Sequence, residues 1–239
     1  MLELTPFDGQ TAAIMVQLSI GGTWSGLPKE IASELFATAT LHRLKAGDAL
    51  FQTGDAGDGC YRLDKGLLKV SLISPQVRER IIAIMTPGTV VGDLAVIDGL
   101  PRSASVHALT DCELRRLSRA AFEQLAQEHP DIHRYLVKLL AARLRQADDI
   151  IASSAFRSVK ARVAQTLLSL AENLGEKTDS GAILIPRMIN QADIAAMAGV
   201  ARENTSRVLS EWERKKLVTK LSGSYRIDDK AKLESEIDG

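Results

Sequence analysis

Asn190-Gln191-Ala192-Asp193-Ile194-Ala195-Ala196-Met197-Ala198-Gly199-Val200-Ala201-Arg202-Glu203-Asn204-Thr205-Ser206-Arg207-Val208-Leu209 is the stretch that decides how this chain reads. Asn190 is placed to cap a short helix running through Met197, with Asp193 at its third position, and Ala198-Gly199-Val200 then makes a tight turn. A second helix starts near Arg202, which completes a helix-turn-helix unit. Thr205, Val208, Leu209 and Trp212 share one side of that second helix and would hold it on its domain, leaving Arg202, Glu203, Ser206 and Arg207 at the exposed N-terminal end. Those residue types suit base reading, because a guanidinium pairs bidentately with guanine O6 and N7 while a carboxylate accepts from cytosine N4. Arg214, Lys215, Lys216 and Lys220 follow where phosphates would lie. The spacing alone also admits a plainer reading, in which Glu203 and Arg207, four apart, form a surface ion pair; the basic run after them favours DNA.

Around this unit, Val159 to Leu174 reads as a helix, Ala182 to Ile185 as a short strand, and Leu217 to Ile227 as a hairpin around Ser222-Gly223-Ser224, so residues 156–239 are expected to form a winged helix-turn-helix domain. Upstream, the chain from Pro130 to about Ser154 contains neither a Gly nor a further Pro, and its apolar residues recur at helical spacing, which predicts one long helix in residues 130–155. Val137, Leu140, Leu144, Ala147 and Ile151 follow the spacing of a two-stranded coiled-coil seam, while Ile132, Leu136 and Leu139 form a second row able to pack on the preceding module. Two apolar faces need two partners, so a homodimer is expected; the alternative is one wide face buried in a single core. Phe156-Arg157-Ser158 marks the expected hinge.

Residues 1–129 have another rhythm. From about Thr40 to Leu117 short apolar runs alternate with glycines, the pattern of an all-β module, with Leu67–Ile73 and Arg80–Met85 as strands flanking a turn at Ser74-Pro75-Gln76. Gly54-Asp55-Ala56-Gly57-Asp58-Gly59 reads as a tip using the positive φ angles that glycine allows. The role of residues 1–26 is not legible from the sequence.

Composition narrows the function. The 239 residues carry 30 basic and 30 acidic side chains, so any nucleic-acid surface must be local rather than global. Cys60 and Cys112 stand far apart without CxxC spacing and read as reduced, buried thiols, with no metal site to be expected from them. No apolar run is long enough to span a bilayer and the start lacks the pattern of a secretory signal, so a cytoplasmic address with no membrane partner is expected. Catalysis finds no support: the sequence lacks a Gly-x-Ser-x-Gly elbow, a P-loop and a His-Glu-x-x-His pair.

Arg202-Glu203-Asn204-Thr205-Ser206-Arg207 resembles the R-E-x-x-[GS]-R recognition helix of the Crp/Fnr family. Gly47, Gly54-Asp55, Tyr61, Gly66, Lys69-Val70, Gly92-Asp93-Leu94-Ala95 and Pro101-Arg102-Ser103-Ala104 resemble that family's cyclic-nucleotide-binding β-roll. The resemblance runs from about Leu41 to Ile227 and implies an α+β fold: an N-terminal β-roll (jelly roll), a long dimerisation helix and a C-terminal winged helix-turn-helix. It further implies a bacterial homodimeric transcription regulator on double-stranded DNA with palindromic TGTGA-like half-sites, with Arg202, Glu203 and Arg207 on bases and RNA polymerase as a further partner. Glu176 to Ser180 is a polymerase-contact loop by position only.

For the sensor the resemblance implies no cofactor but an allosteric ligand, cAMP or another cyclic nucleotide, held by Gly92, Asp93, Leu94, Arg102 and Ser103, with Ala147 and Asp148 at the base. Three departures stand out. Asp93 replaces a Glu that accepts from the ribose 2′-hydroxyl, Ala147 replaces a Thr that meets the adenine amino group, and Ala201 stands where the family often has a capping Ser. A cyclic nucleotide, another effector in the same pocket, and no effector at all therefore remain open, as does a module that controls a protein partner without touching DNA. Arg102 either holds the ligand phosphate or pins its loop to Asp93 or Asp98.

Overall fold

The alternating segments of the N-terminal half become antiparallel strands in a computed structural model, which describes residues 29–74 and 79–237. A short helix α1 (Lys29–Ala37) leads into β1 (Thr40–Leu44), β2 (Ala49–Phe51), β3 (Gly59–Lys65), β4 (Leu68–Ile73), β5 (Glu79–Met85) and β6 (Val90–Val91). After helix α2 (Asp93–Asp98) come β7 (Ser105–Ala108) and β8 (Cys112–Ser118). They form two sheets, β1-β8-β3-β6 and β2-β7-β4-β5. Leu44, Leu63 and Leu114 from one sheet meet Leu68, Met85 and Val106 from the other in a single apolar core, so the sheets pack face to face. Gly57 and Gly59 lack the positive φ expected of them. What they supply is closeness: a Cβ at Gly57 would stand 2.1 Å from Ala95 Cβ, and one at Gly59 2.4 Å from the Leu117 carbonyl oxygen. The expected turn at Pro75-Gln76 lies outside the described residues.

Helix α3 (Arg119–Glu128), capped by Ser118 Oγ accepting from the Ala121 N–H, was not anticipated; its buried Phe122 and Ala126 close one end of the roll. The long helix α4 (Asp131–Phe156) follows. Its expected inner row is inner, with Ile132 0% and Leu136 4% exposed against Leu35, Phe36 and Phe122. The other row stands in solvent, with Val137 67%, Leu144 65% and Ile151 65% exposed.

In the C-terminal half, Ser158 caps α5 (Val159–Leu174). The segment Glu176 to Ser180, read as a loop, begins instead with an edge strand β9 (Glu176–Lys177) paired to β10 (Ile183–Ile185), because Thr178 and Gly181 close a tight turn that brings the two together. Then come α6 (Gln191–Ala198), α7 (Arg202–Arg214), the hairpin β11 (Val218–Leu221) and β12 (Ser224–Ile227), and α8 (Lys230–Ser235). The sheet order β11-β12-β10-β9 backs the helices as a wing. The core of this half is not self-contained: Ile81 and Ile84 of β5, 1% and 0% exposed, sit in the same cluster as Leu167, Met197 and Trp212. Lys69 of β4 bridges Glu79 at 2.9 Å and lies 3.8 Å from Asp193 of α6. The β4–β5 outer face is thus part of the helix-turn-helix packing. The sequence does not announce it, because Ile81 and Ile84 read equally well as roll core.

Candidate DNA-binding surface and effector pocket

The helix-turn-helix is built by local chemistry. Asn190 Oδ1 accepts from the Ala192 and Asp193 N–H groups while Asp193 Oδ2 accepts from the Asn190 N–H, a reciprocal capping box that fixes the start of α6. Gly199 ends α6 at φ +63, a left-handed position, and its carbonyl accepts from Arg162 Nη1 at 3.2 Å. The Arg80 guanidinium from β5 lies directly on Gly199, where burial first and the Arg162 charge second lower its pKa. Helix α7 then follows Ala201, whose extended backbone suits a cap but whose side chain makes none. Ala201→Ser is accordingly expected to stabilise the protein by about 1 kcal/mol, read as a rise in thermal midpoint without loss of DNA affinity.

Thr205, Val208, Leu209 and Trp212 are buried and anchor α7, while Arg202, Glu203, Ser206 and Arg207 are all exposed along one strip. Arg207 Nη2 donates to Asn204 Oδ1 at 3.0 Å rather than pairing with Glu203, so the ion-pair reading of that couple does not hold. Arg214, Lys216 and Lys220 are exposed as well. Lys215 is different: its Nζ lies 2.8 Å from Glu211 and 3.3 Å from Glu236, and Glu211 also takes Lys160 at 2.7 Å. Hydrogen bonds from Lys160 and Lys215 bring the Glu211 carboxyl down to about 2. Lys215 therefore ties the end of α7 to α5 and α8 instead of standing free for a phosphate.

The residues expected to hold the effector gather at the start of α2. Gly92 holds φ +78 there, and a Cβ on it would meet Arg102 Nη1 at 2.5 Å. Arg102 is 3% exposed, donates to the Gly92 carbonyl at 2.9 Å and stacks 4.2 Å above the Phe51 ring, with Asp58 3.8 Å from its Nη2. Its Nε is buried without a hydrogen-bond partner, and burial lowers its pKa. Asp93, 4% exposed, does not hold Arg102; it accepts from Arg143 Nη1 of α4 at its Oδ1 (3.3 Å), while its Oδ2 lies 3.1 Å from Arg143 Nη2 without a hydrogen bond. Nor does Asp98 hold Arg102, since its Oδ1 accepts from the Leu100 N–H. The carboxylate nearest Arg102 is thus Asp58, not the expected Asp93 or Asp98. Ser103 and Leu94 are exposed, as are Ala147 and Asp148 on α4. Arg143 is the site residue that the sequence does not announce, since its partner Asp93 lies 50 residues away in the chain.

A buried guanidinium with an unpaired N–H and a buried carboxylate alongside it suit an anion bearing a hydroxyl. Cys60 lies close by, its thiol pushed up to about 12 by burial and, less strongly, by Asp93, so it is inert as a nucleophile.

Residues 41–129 match the cyclic nucleotide-binding domain model and residues 161–236 the Crp-like helix-turn-helix domain model. The cAMP-activated global transcriptional regulator CRP of Salmonella typhimurium is 31% identical over 180 residues, covering 75% of this chain and 85% of that protein. The chain belongs to the Crp/Fnr family. The CRP-like cAMP-activated global transcriptional regulator of Mycobacterium tuberculosis is 29% identical over 187 residues, 78% of this chain and 83% of that protein. Among solved structures, the c-di-GMP responsive global regulator CLP of Xanthomonas campestris superposes with a TM-score of 0.75 at 21% identity, covering 84% of this chain and 99% of that one, which shows the shared fold. The Crp/Fnr assignment makes this a transcription regulator with a cyclic nucleotide-binding domain and a DNA-binding helix-turn-helix, not an enzyme. Among the described residues no helix is long and apolar enough to cross a membrane.

Proposed function

We propose that this Crp/Fnr regulator works as a homodimer that reads palindromic TGTGA-like half-sites and is switched by a cyclic nucleotide. In this reading residues 1–129 sense, 130–155 dimerise and 156–239 read DNA. The observation that carries it is the exposed seam of α4: Val137, Leu144 and Ile151 stand in solvent at coiled-coil spacing, and Leu140 and Ala147 complete the row. Pairing α4 with a second copy sets two recognition helices side by side, as half-sites about 34 Å apart require. Arg202, Glu203, Ser206 and Arg207 then face base edges, and Lys216 and Lys220 the flanking phosphates. RNA polymerase is the expected protein partner.

Arg102 takes the cyclic phosphate in this reading, trading the Gly92 carbonyl for it. Arg102→Ala should weaken cyclic-nucleotide binding by about a hundredfold in calorimetry. Its thermal midpoint, followed separately, reports the lost stacking on Phe51. One observation favours a second reading without an effector: Arg102 already donates to the Gly92 carbonyl and Asp93 already pairs with Arg143 within the chain.

Fluorescence anisotropy of a labelled TGTGA-N6-TCACA duplex, titrated at one salt concentration with and without saturating cyclic AMP or cyclic GMP, tests both readings. Tightening by either nucleotide supports the switched dimer; specific binding that neither changes supports the constitutive one. Failure to prefer this duplex over a scrambled one would sink the half-site assignment.

A further inference from the structure

We infer that Arg80 of the sensor sheet and Arg162 of α5 grip one DNA backbone phosphate at the Gly199 turn, so that the sensor domain itself takes part in holding the duplex. The inference rests on the DNA-reading surface described above and extends it across the boundary between the two halves of the chain.

Two guanidiniums crowd one turn. Arg80 of β5 lies over Gly199 in the space that a Cβ would fill, and Arg162 Nη1 donates to the Gly199 carbonyl at 3.2 Å. Among the described residues neither makes an ion pair; the acids nearby in the chain and on the facing helix, Glu79 of β5 and Asp193 of α6, lie with Lys69 instead. Arg162 Nε is buried without a hydrogen-bond partner. The Arg80 pKa is lowered by burial and then by the Arg162 charge, so the two cations repel. Such a pair costs stability until an anion joins it.

Its position identifies the anion. Gly199, Ala201 and Arg202 are exposed, so the two guanidiniums border the strip formed by Arg202, Glu203, Ser206 and Arg207. Helix α7 starts at the same place without a side-chain cap, which leaves its first N–H groups open and adds the positive end of its dipole. Paired guanidiniums beside a helix N-terminus match a phosphodiester, and backbone phosphates are what flank a recognition helix in the major groove.

Arg80 reaches this turn because β5 is seated on the helix-turn-helix: Ile81 and Ile84, next along the strand, are 1% and 0% exposed in the cluster that holds Met197 and Trp212. Docking of the sensor sheet thus sets a share of the affinity that is independent of sequence, while base choice stays with α7.

The test is fluorescence anisotropy of the full-length protein on the TGTGA-N6-TCACA duplex and on a scrambled one, across a salt series. Arg80→Gln should bind both duplexes about tenfold more weakly than the parent, and its plot of log K against log salt should be shallower by about 1 for each phosphate released. Arg162→Gln should act in the same direction. Without DNA the thermal midpoint of Arg80→Gln should not fall, because the repulsion is removed with the charge. Single methylphosphonates placed along the TGTGA half-site locate the contact: one position should cost the parent about tenfold and Arg80→Gln less than about twofold. Parent-like affinity and salt slope in Arg80→Gln would overturn the clamp, and so would a lower thermal midpoint with an unchanged slope, which would assign Arg80 to packing. A loss confined to the TGTGA duplex, or the lack of any methylphosphonate position that depends on Arg80, would overturn it as well, since a phosphate contact is blind to base sequence. The scrambled duplex keeps this test separate from the half-site assignment, which falls if the parent prefers neither duplex. A parent that binds neither would remove the clamp and the DNA reading together.

Discussion

Arg207→Glu is expected to lower affinity for a TGTGA-N6-TCACA duplex by more than about a hundredfold, with the sedimenting mass the same as the parent's. A bidentate Arg–guanine pair is worth about 1–3 kcal/mol of discrimination, and two half-sites double the loss. Reversal does more than remove the pair, because it sets a carboxylate against the guanine O6 and N7 acceptors and the phosphates around them. Arg207 is exposed and, among the described residues, its side chain donates to Asn204 on its own helix and makes no ion pair, so the fold does not depend on its charge. Lys215→Ala makes the contrast: its ammonium is already taken by Glu211 and Glu236, so DNA affinity should change little. A duplex titration in which Arg207→Glu binds like the parent would assign the α7 strip to something other than base reading.

That contrast shows what the sequence could and could not tell. Spacing and capping chemistry are local, and they were read correctly: Asn190 with Asp193, the Gly199 turn, the two rows of α4 and the uncapped Ala201 all stand as the sequence implied. Partners distant in the chain were not legible. Lys215 and Glu236 lie 21 residues apart, and Arg143 and Asp93 are separated by 50, so no periodicity brings either pair to notice. The same holds for Arg102, whose buried neighbours Gly92, Asp58 and Phe51 come from three separate segments. Helices α1, α2, α3 and α8 were not anticipated, because a row of three or four apolar residues does not distinguish a helix from a strand. The burial of Ile81 and Ile84 beneath α6 is the largest omission, since it makes the sensor sheet a structural part of the DNA-reading half.

The stability of that half turns on Trp212. It is 0% exposed, the largest fully buried side chain, in the cluster that joins α5, α6, α7 and the β5 face. Without a cap at Ala201, helix α7 is held mainly by its buried side, and Trp212 lies in its last turn. Trp212→Ala is expected to cost about 3–5 kcal/mol, from lost burial plus the cavity left behind. In a protein of this size that lowers the thermal midpoint by roughly 10 °C. The loss should be selective. The core between the two sheets of the roll shares no residue with the Trp212 cluster, so a nucleotide-binding signal should outlast the DNA-binding signal on heating. Trp212→Phe separates packing from polarity: the indole Nε1 is buried without a hydrogen-bond partner, so removing its N–H offsets part of the smaller ring's cost. That variant should fall within about 1.5 kcal/mol of the parent and still bind DNA. If Trp212→Ala melted with the parent, or both signals failed together at the lower temperature, α7 would owe its position to the β5 face and the Arg162–Gly199 contact rather than to its own buried row.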